Sequence, residues 1–214
     1  MIGLVWKDML VMRKTLRAYA LFLGFYLILA VMGAFDISIV TAMIQVILLM
    51  VPISAFSYDE QAKWNRYVMT FPLGRRAVVG GRYLFSLFTA LAASSFGLLV
   101  CVFTSLMGRS QLEENLASVL ASLGVGLFIV DIMLPLCYKL GPERARPYLY
   151  AVVFFPVIAL FLAYKLGFQA DLSALDRMPA PAVLGLFALV PLAALLGMGI
   201  SYLVSCRIVA DKEF

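Results

Sequence analysis

One acidic residue lies inside an apolar stretch of the chain. Asp131 is the only charged residue within 115–138, about two helical turns before Tyr138 and Lys139. A charge inside an apolar helix is costly, so such a residue usually faces a cavity or a partner. Two interpretations therefore stay open: Asp131 lines a conduit, or it is protonated or paired with a basic group near one membrane face.

Motifs for hydrolytic, redox or metal chemistry are missing from the chain. Histidine is absent, and the three cysteines, Cys101, Cys137 and Cys206, lie in or beside apolar runs, where they are expected to be packing residues. The most glycine-rich stretch, 74–81, lacks the lysine followed by a hydroxyl that a phosphate-binding loop requires. The sequence therefore predicts that the chain is not an enzyme and holds no metal or cofactor of its own.

The composition excludes an ordinary soluble domain. Of the 214 residues, 64% are hydrophobic and 14% are charged, and the mean hydropathy is +1.01. Soluble domains are about 45–50% apolar. The chain is therefore predicted to be a membrane protein, with no room for a separate soluble catalytic domain.

Long uncharged runs predict the fold. A helix needs about 20 apolar residues to cross a bilayer, and runs of this length without two-residue alternation are helices rather than barrel strands. We expect an all-α polytopic membrane protein, forming a single transmembrane domain over 1–214 with six transmembrane helices. The predicted spans are 18–35, 37–58, 83–108, 115–138, 147–164 and 181–206.

Two shorter elements are predicted outside the spans. Residues 2–17 have an apolar face at helical spacing, which favours an amphipathic N-terminal interface helix. A cleaved signal peptide is the alternative interpretation of this end. On the opposite side, Leu172, Leu175 and Met178 recur at helical spacing before two prolines, so a short outer helix is expected at about 170–178, with an irregular loop as the alternative.

The distribution of basic residues predicts the orientation. Three basic residues flank the spans on one side, and fourteen flank them on the other: Lys7, Arg13, Lys14, Arg17, Lys63, Arg66, Arg75, Arg76, Arg82, Lys139, Arg144, Arg146, Arg207 and Lys212. Basic residues collect on the cytoplasmic side of membrane proteins. Both termini are therefore predicted to be cytoplasmic in a bacterial cytoplasmic membrane, and the net charge of +5 reflects topology rather than nucleic-acid binding.

Small residues recur four apart in two of the spans. They are Ala93, Gly97, Cys101 and Ser105 in one, and Ala193, Gly197, Ser201 and Ser205 in the other. Such stripes allow helix backbones to approach closely in lipid. Packing within one chain is the default expectation, and packing between two copies is the alternative.

The segment between the second and third spans is too polar to cross a membrane and too patterned for a plain linker. Acidic residues at 59 and 60 favour a helix start, and Pro72 and Gly74 favour its end, which predicts a short amphipathic helix at about 59–71. Its polar and aromatic side chains include Asp59, Glu60, Lys63, Trp64 and Tyr67.

The same segment carries a family resemblance. Its pattern is Asp59-Glu60, Trp64, Tyr67, Thr70, Pro72, Arg75-Arg76, Val78 and Arg82-Tyr83. This resembles the signature of the short six-helix permeases of type-2 ABC exporters, and in particular the bacterial exporters of amphipathic peptides of the phenol-soluble-modulin type. The chain departs from that pattern at Gly74, where serine is usual, and at Arg82, where lysine is common.

The resemblance implies that one subunit forms the membrane pathway and a different subunit binds ATP. The helix at 59–71 would be a coupling helix that docks on a separate ABC ATP-binding subunit. The candidate coupling site would then consist of Asp59, Glu60, Lys63, Trp64 and Tyr67. ATP and Mg²⁺ would be bound only by that partner. Two permease copies, as a homodimer or a heterodimer, would export amphipathic peptides or lipid-like and drug-like molecules from the cytoplasm or inner leaflet. The alternative function is a non-transporting membrane scaffold or sensor subunit, and the alternative for Trp64 is the aromatic belt at the lipid headgroups.

Overall fold

The computed structural model describes residues 2–33, 37–68, 74–108, 112–166 and 180–211. Within these ranges every regular element is an α-helix. The helices are α1 (Ile2–Val11), α2 (Arg13–Met32), α3 (Ile37–Gln61), α4 (Trp64–Val68), α5 (Gly74–Leu106), α6 (Leu112–Leu140), α7 (Pro142–Lys165) and α8 (Ala180–Ala210). The all-helical prediction is therefore confirmed for the described part of the chain.

Four of the described helices are long and apolar enough to cross a membrane. They are α3, α5, α6 and α8, with candidate spans Ser38–Gln61, Gly74–Leu106, Asn115–Leu140 and Ala182–Ala210. The protein is therefore a multi-pass membrane protein. The other two predicted spans, 18–35 and 147–164, fall on α2 and α7, except at the end of the first: Gly33 follows α2, and residues 34 and 35 lie outside the described ranges. The six-span topology stays a prediction.

Helix α6 lies at the centre of the bundle and packs against α3, α5, α7 and α8. The two helices α6 and α8 approach closely at Gly124. A Cβ atom there would lie 2.6 Å from Val190 Cγ1 and 2.7 Å from the main-chain nitrogen of Pro191. Because backbone cannot move aside as a flexible side chain does, this crossing requires glycine.

The small-residue stripe of α5 packs within the chain. Ala93, Gly97 and Cys101 are buried, and a Cβ atom on Gly97 would lie 2.8 Å from Ile44 Cδ1 of α3. The default expectation is confirmed for these three residues. The small-residue stripe of α8 is only partly packed within the chain, because Ser201 is buried while Ala193 is exposed.

The amino-terminal helix is shorter than predicted. Met12, with φ of −89° and ψ of 6°, separates α1 from α2, and its amide still donates to the Asp8 carbonyl at 3.0 Å. Met12 is only 1% exposed and packs in the core with residues of α3 and α5, including Val51 and Phe85. A core side chain therefore lies at the junction of α1 and α2. The short outer helix expected at about 170–178 lies outside the described residues.

Candidate functional site

The described part of the connection between α3 and α5 consists of a turn and the short helix α4. Lys63 lies in the turn with φ of 51°, and its amide donates a hydrogen bond to the Glu60 carbonyl at 3.0 Å. Asp59 and Glu60 belong to the last turn of α3, whereas the sequence predicted that they begin a separate helix at about 59–71. That predicted start is wrong, because helix α3 continues through them. Residues 69–71 lie outside the described ranges.

The side chain of Asp59 points inward and joins a buried group of charges, here called the four-charge cluster: Lys7, Asp8, Asp59 and Arg82. Lys7 Nζ lies 2.8 Å from Asp8 Oδ1 and 2.7 Å from Asp59 Oδ1. Arg82 Nη1 lies 3.0 Å from Asp8 Oδ2, and its Nη2 donates to Asp59 Oδ2. Each carboxylate therefore contacts both cations.

The four-charge cluster is formally neutral, and most of it is removed from water. Asp8, Asp59 and Arg82 are 5%, 7% and 6% exposed, while the Lys7 side chain is 22% exposed. Desolvating a charge is expensive, and the mutual attraction of well-placed opposite charges offsets that cost only while every member is present. Loss of one member would leave an uncompensated charge in the interior.

Aromatic rings surround the four-charge cluster. Lys7 Nζ lies 4.5 Å from the centre of the Trp64 ring, and the Arg82 guanidinium carbon lies 4.7 Å from the centre of the Phe56 ring. The Phe56 ring in turn packs edge-to-face on Tyr138, with centres 4.9 Å apart. Cation–π attraction strengthens when the cation is desolvated, so these rings add to the ionic contacts.

The four-charge cluster joins three helices at one end of the bundle. Its members come from α1, from the last turn of α3 and from an early turn of α5, and Trp64 brings α4 against Lys7. The sequence predicts Asp59 as a member of the candidate site, but the prediction misses the contribution of Lys7, Asp8 and Arg82. The four-charge cluster therefore adds ionic contacts between α1, α3 and α5 at the end of the bundle where α4 lies.

The other predicted site residues lie at or near the surface. Glu60 and Lys63 are exposed, Tyr67 is 64% exposed and Trp64 is half-buried. Val68, at the end of α4, is buried and anchors the helix to the bundle. The structure thus separates the predicted site into an interior residue, Asp59, and a surface formed by the remaining four.

A polar groove lies beside this surface. Its volume is about 410 Å³, and it lies between the end of α3 and the turn that joins α6 to α7. The lining residues are Ser57, Glu60, Gln61, Leu140, Gly141, Glu143 and Arg144. Within the described residues, no group of three or more Cys, Asp or Glu side chains is placed to hold a metal ion.

The carboxyl end of α8 meets the same end of the bundle. Arg75, in the first turn of α5, donates to the main-chain carbonyls of Ala210 at 2.7 Å and Val209 at 3.4 Å. Carbonyls at a helix C-terminus have no partner within the helix, and a guanidinium both binds them and complements the helix dipole. The first and last described helices therefore both contact the amino-terminal part of α5.

Asp131 is buried between α6 and α8, away from the four-charge cluster. Both carboxylate oxygens are buried and have no hydrogen-bond partner in the described part of the chain. A Cβ atom on Gly197 would lie 3.0 Å from Asp131 Oδ2. The interpretation that Asp131 is paired with a basic group is therefore wrong for the residues the structure describes, and the conduit and protonated interpretations remain.

Polar contacts lie next to Asp131 without reaching its carboxylate. Ser201 Oγ donates to the Asp131 main-chain carbonyl. The Tyr83 hydroxyl hydrogen-bonds with Ser201 Oγ at 2.6 Å and with Ser205 Oγ at 2.8 Å. These bonds connect α5, α6 and α8, so the interior beside Asp131 contains a short polar network.

Comparison with known proteins identifies the family. No curated protein and no solved structure shows significant similarity to the chain. The family model described as ABC-2 family transporter protein matches residues 3–210, which is nearly the whole chain. Members are membrane components of transporters, are not themselves catalytic, and in general work with an ABC ATP-binding partner. This multi-pass helical chain belongs to the ABC-2 transporter family.

Proposed function

We propose that the chain is the permease subunit of an ATP-driven exporter, energised by a separate ABC ATP-binding subunit. It crosses the bacterial cytoplasmic membrane six times, through α2, α3, α5, α6, α7 and α8, and both termini are cytoplasmic. The family match supports the permease role, and the fourteen basic residues that flank one side of the predicted spans support the orientation. Contact of both end helices with the same part of α5 agrees with termini on one side.

The main structural support for the proposal is the contact of α4 with the four-charge cluster, made by Trp64 and Lys7. A subunit that pushes on α4 has to move helices that cross the membrane, or no work is done on the substrate. Lys7 contacts both Trp64 and Asp59, and Asp59 contacts Arg82 on α5. A displacement of α4 would thus be passed to α1, α3 and α5 through buried contacts that are expensive to break.

The proposed docking surface consists of Glu60, Lys63, Trp64 and Tyr67, with the polar groove beside Glu60. Tyrosine and tryptophan are common hot spots of protein interfaces, because they bury a large area and lose little rotamer entropy. Asp59 has a different part in this scheme. Since its carboxylate is buried and paired, it acts as a positioning residue that holds α3 and α5 beneath the docking surface.

A pair of permeases completes the proposed transporter. Two ATP-binding subunits need two docking surfaces, and two copies of this chain supply them as a homodimer. Amphipathic peptides, or lipid-like and drug-like molecules, are the proposed substrates. Their support is the resemblance at 59–83 and the apolar surface of the transmembrane helices, on which Phe155, Leu196 and Ile200 are 73%, 77% and 68% exposed.

The docking surface is tested by the variant Glu60→Ala/Tyr67→Ala. Tagged protein is purified from membranes in mild detergent, and the bound ABC ATP-binding subunit is quantified together with its vanadate-sensitive ATP hydrolysis. Truncating an interface hot spot costs about 2 kcal/mol, which corresponds to roughly thirty-fold weaker binding. We expect the variant to insert normally and to lose most of the bound subunit.

Tyr164→Ala is the matched control. Tyr164 is 68% exposed, close to the 64% of Tyr67, but it lies at the carboxyl end of α7, on the opposite membrane side in the proposed topology. The control should retain the bound subunit. Equal recovery of the subunit with both variants would rule out this docking surface, and recovery of no such subunit with the unmodified chain would favour the scaffold or sensor function.

A further inference from the structure

An apolar groove runs between α2 and α5, distant from the polar groove at the docking surface. Its volume is about 340 Å³, and we call it the α2–α5 groove. Helix α3 forms its back through Ile47 and Val51, and Met9 of α1 borders it at one end. Residues such as Leu16, Leu23 and Phe96 make its walls almost wholly hydrocarbon.

The α2–α5 groove has a buried floor and an exposed rim. Phe85 and Val51 on the floor are 0% and 1% exposed. On the rim, Ala20, Phe88 and Ala92 are exposed. In a bundle whose helices cross a bilayer, a groove built in this way opens sideways toward lipid rather than toward water.

Basic residues lie at one end of the α2–α5 groove. Arg13, Lys14 and Arg17 are exposed in the first turns of α2. A helix rises about 1.5 Å per residue, so Arg13 and Arg17 lie within one turn of the groove residue Leu16. The α2–α5 groove is therefore apolar along its length and has positive charge at the end that lies near the membrane surface.

We propose that the α2–α5 groove binds one acyl chain of an anionic phospholipid from the cytoplasmic leaflet, with the lipid phosphate at Arg13 and Arg17. The groove volume suits one hydrocarbon chain, and the exposed arginines complement a phosphate by charge and by hydrogen bonding. Lipid in the cytoplasmic leaflet has its headgroups at the level where these arginines are expected in the proposed orientation. The inference rests on the proposed function for that orientation and for the crossing of the membrane by α2.

The test counts lipid molecules bound to the purified chain. The protein is reconstituted in nanodiscs of phosphatidylglycerol or phosphatidylcholine, released into detergent, and examined by native mass spectrometry. Ala20→Phe/Ala92→Phe fills the groove from its exposed rim and leaves the buried floor intact. We expect it to reduce phosphatidylglycerol retention about tenfold, equivalent to about 1.4 kcal/mol. Ala151→Phe, on the exposed side of α7, should retain wild-type levels.

A second variant addresses the headgroup. Arg13→Gln/Arg17→Gln should abolish the preference for phosphatidylglycerol over phosphatidylcholine while leaving the total number of retained lipids little changed. Equal retention by the groove-filling variant and its Ala151→Phe control would overturn the proposal. The proposal would also be overturned if Ala20→Phe/Ala92→Phe retained as much phosphatidylglycerol as wild type but no longer formed a dimer. That result would assign the groove to a second copy of the chain. Lipid retention needs no ATP-binding subunit, so its failure is distinguishable from failure of the export proposal.

Discussion

Arg82 and Asp59 form a buried ion pair across the segment that carries α4. The two residues are 23 positions apart, in an early turn of α5 and the last turn of α3. Their pairing closes the connection between these helices, and Lys7 and Asp8 extend it to α1. The proposed docking surface is thus held at its base by charges that are largely shielded from the surrounding water.

Substitution Arg82→Gln should destabilise the protein strongly. It leaves two carboxylates facing one lysine, and breaking a buried ion pair from one side costs about 3–5 kcal/mol. A chain of this size would then melt roughly 10 °C lower. Thermal unfolding in detergent, followed by circular dichroism, measures the change.

Arg76→Gln is the control for Arg82→Gln. Arg76 lies in the first turns of the same helix, but its side chain is exposed, so its charge contributes little to stability. We expect a melting temperature within about 2 °C of wild type, since exposed substitutions usually change stability by at most about 0.5 kcal/mol. Identical melting temperatures for the two variants would contradict the energetic importance of the four-charge cluster.

Substitution Gly124→Ala should weaken the contact between α6 and α8. The added methyl group meets the main-chain nitrogen of Pro191 at 2.7 Å, and such overpacking costs about 1–3 kcal/mol. Gly24→Ala provides the comparison, because nothing lies within 4 Å of a Cβ atom at that position and alanine is the better helix former. Thermal unfolding should show a loss only for Gly124→Ala, and a loss of the same size in both variants would contradict the close packing.

Substitution Asp131→Asn should leave the melting temperature unchanged. No basic group pairs with this carboxylate in the described residues, and asparagine keeps the shape of the neutral acid. If Asp131 lines the conduit, transport or substrate-stimulated ATP hydrolysis will change while folding does not. Asp211→Asn, at the exposed residue that follows α8, is the control for both assays. A drop in stability like that of Arg82→Gln would reveal an ion pair instead.

Reporter fusions test the six-span topology. Alkaline phosphatase, which is active only outside the cytoplasm, should be active when fused after residue 33, 108 or 166, and inactive after 141 or 211. The decisive pair is 141 and 166, because α7 separates them. A four-span protein, in which α7 does not cross, would place both fusions on the same side and give them the same activity.

The spans are predictable because every backbone N–H and C=O group inside hydrocarbon must be hydrogen-bonded within the structure, which long apolar helices achieve. Length and apolarity alone locate α3, α5, α6 and α8. Helix ends are less predictable. Helix α5 begins at Gly74 rather than near residue 83, and it continues through Gly80 and Gly81 without interruption. Gly81 lies against α1, where a Cβ atom would come within 2.9 Å of the Leu4 Cβ, so this glycine serves a close helix contact rather than a helix end.

The partners of Asp59 could not be predicted from the local sequence pattern. The sequence pattern places Asp59 at a helix start, because acidic residues favour that position. Its carboxylate is instead paired with Arg82 and Lys7, which lie 23 and 52 positions away, and no local pattern encodes such contacts. One signal is present in the sequence. Asp8 is the only acidic residue within 2–17, whose other charged residues are basic, which suggests a specific basic partner for Asp8.

In the proposed mechanism, this chain transmits the work of a separate ATP-binding subunit to helices that cross the membrane. Its most direct test is the rate of ATP hydrolysis by that subunit in proteoliposomes, with and without the chain, in the presence of an amphipathic peptide. We expect that wild-type chain raises the rate and that Glu60→Ala/Tyr67→Ala does not. Hydrolysis that is identical with wild-type chain, with the variant and with no chain would contradict the claim.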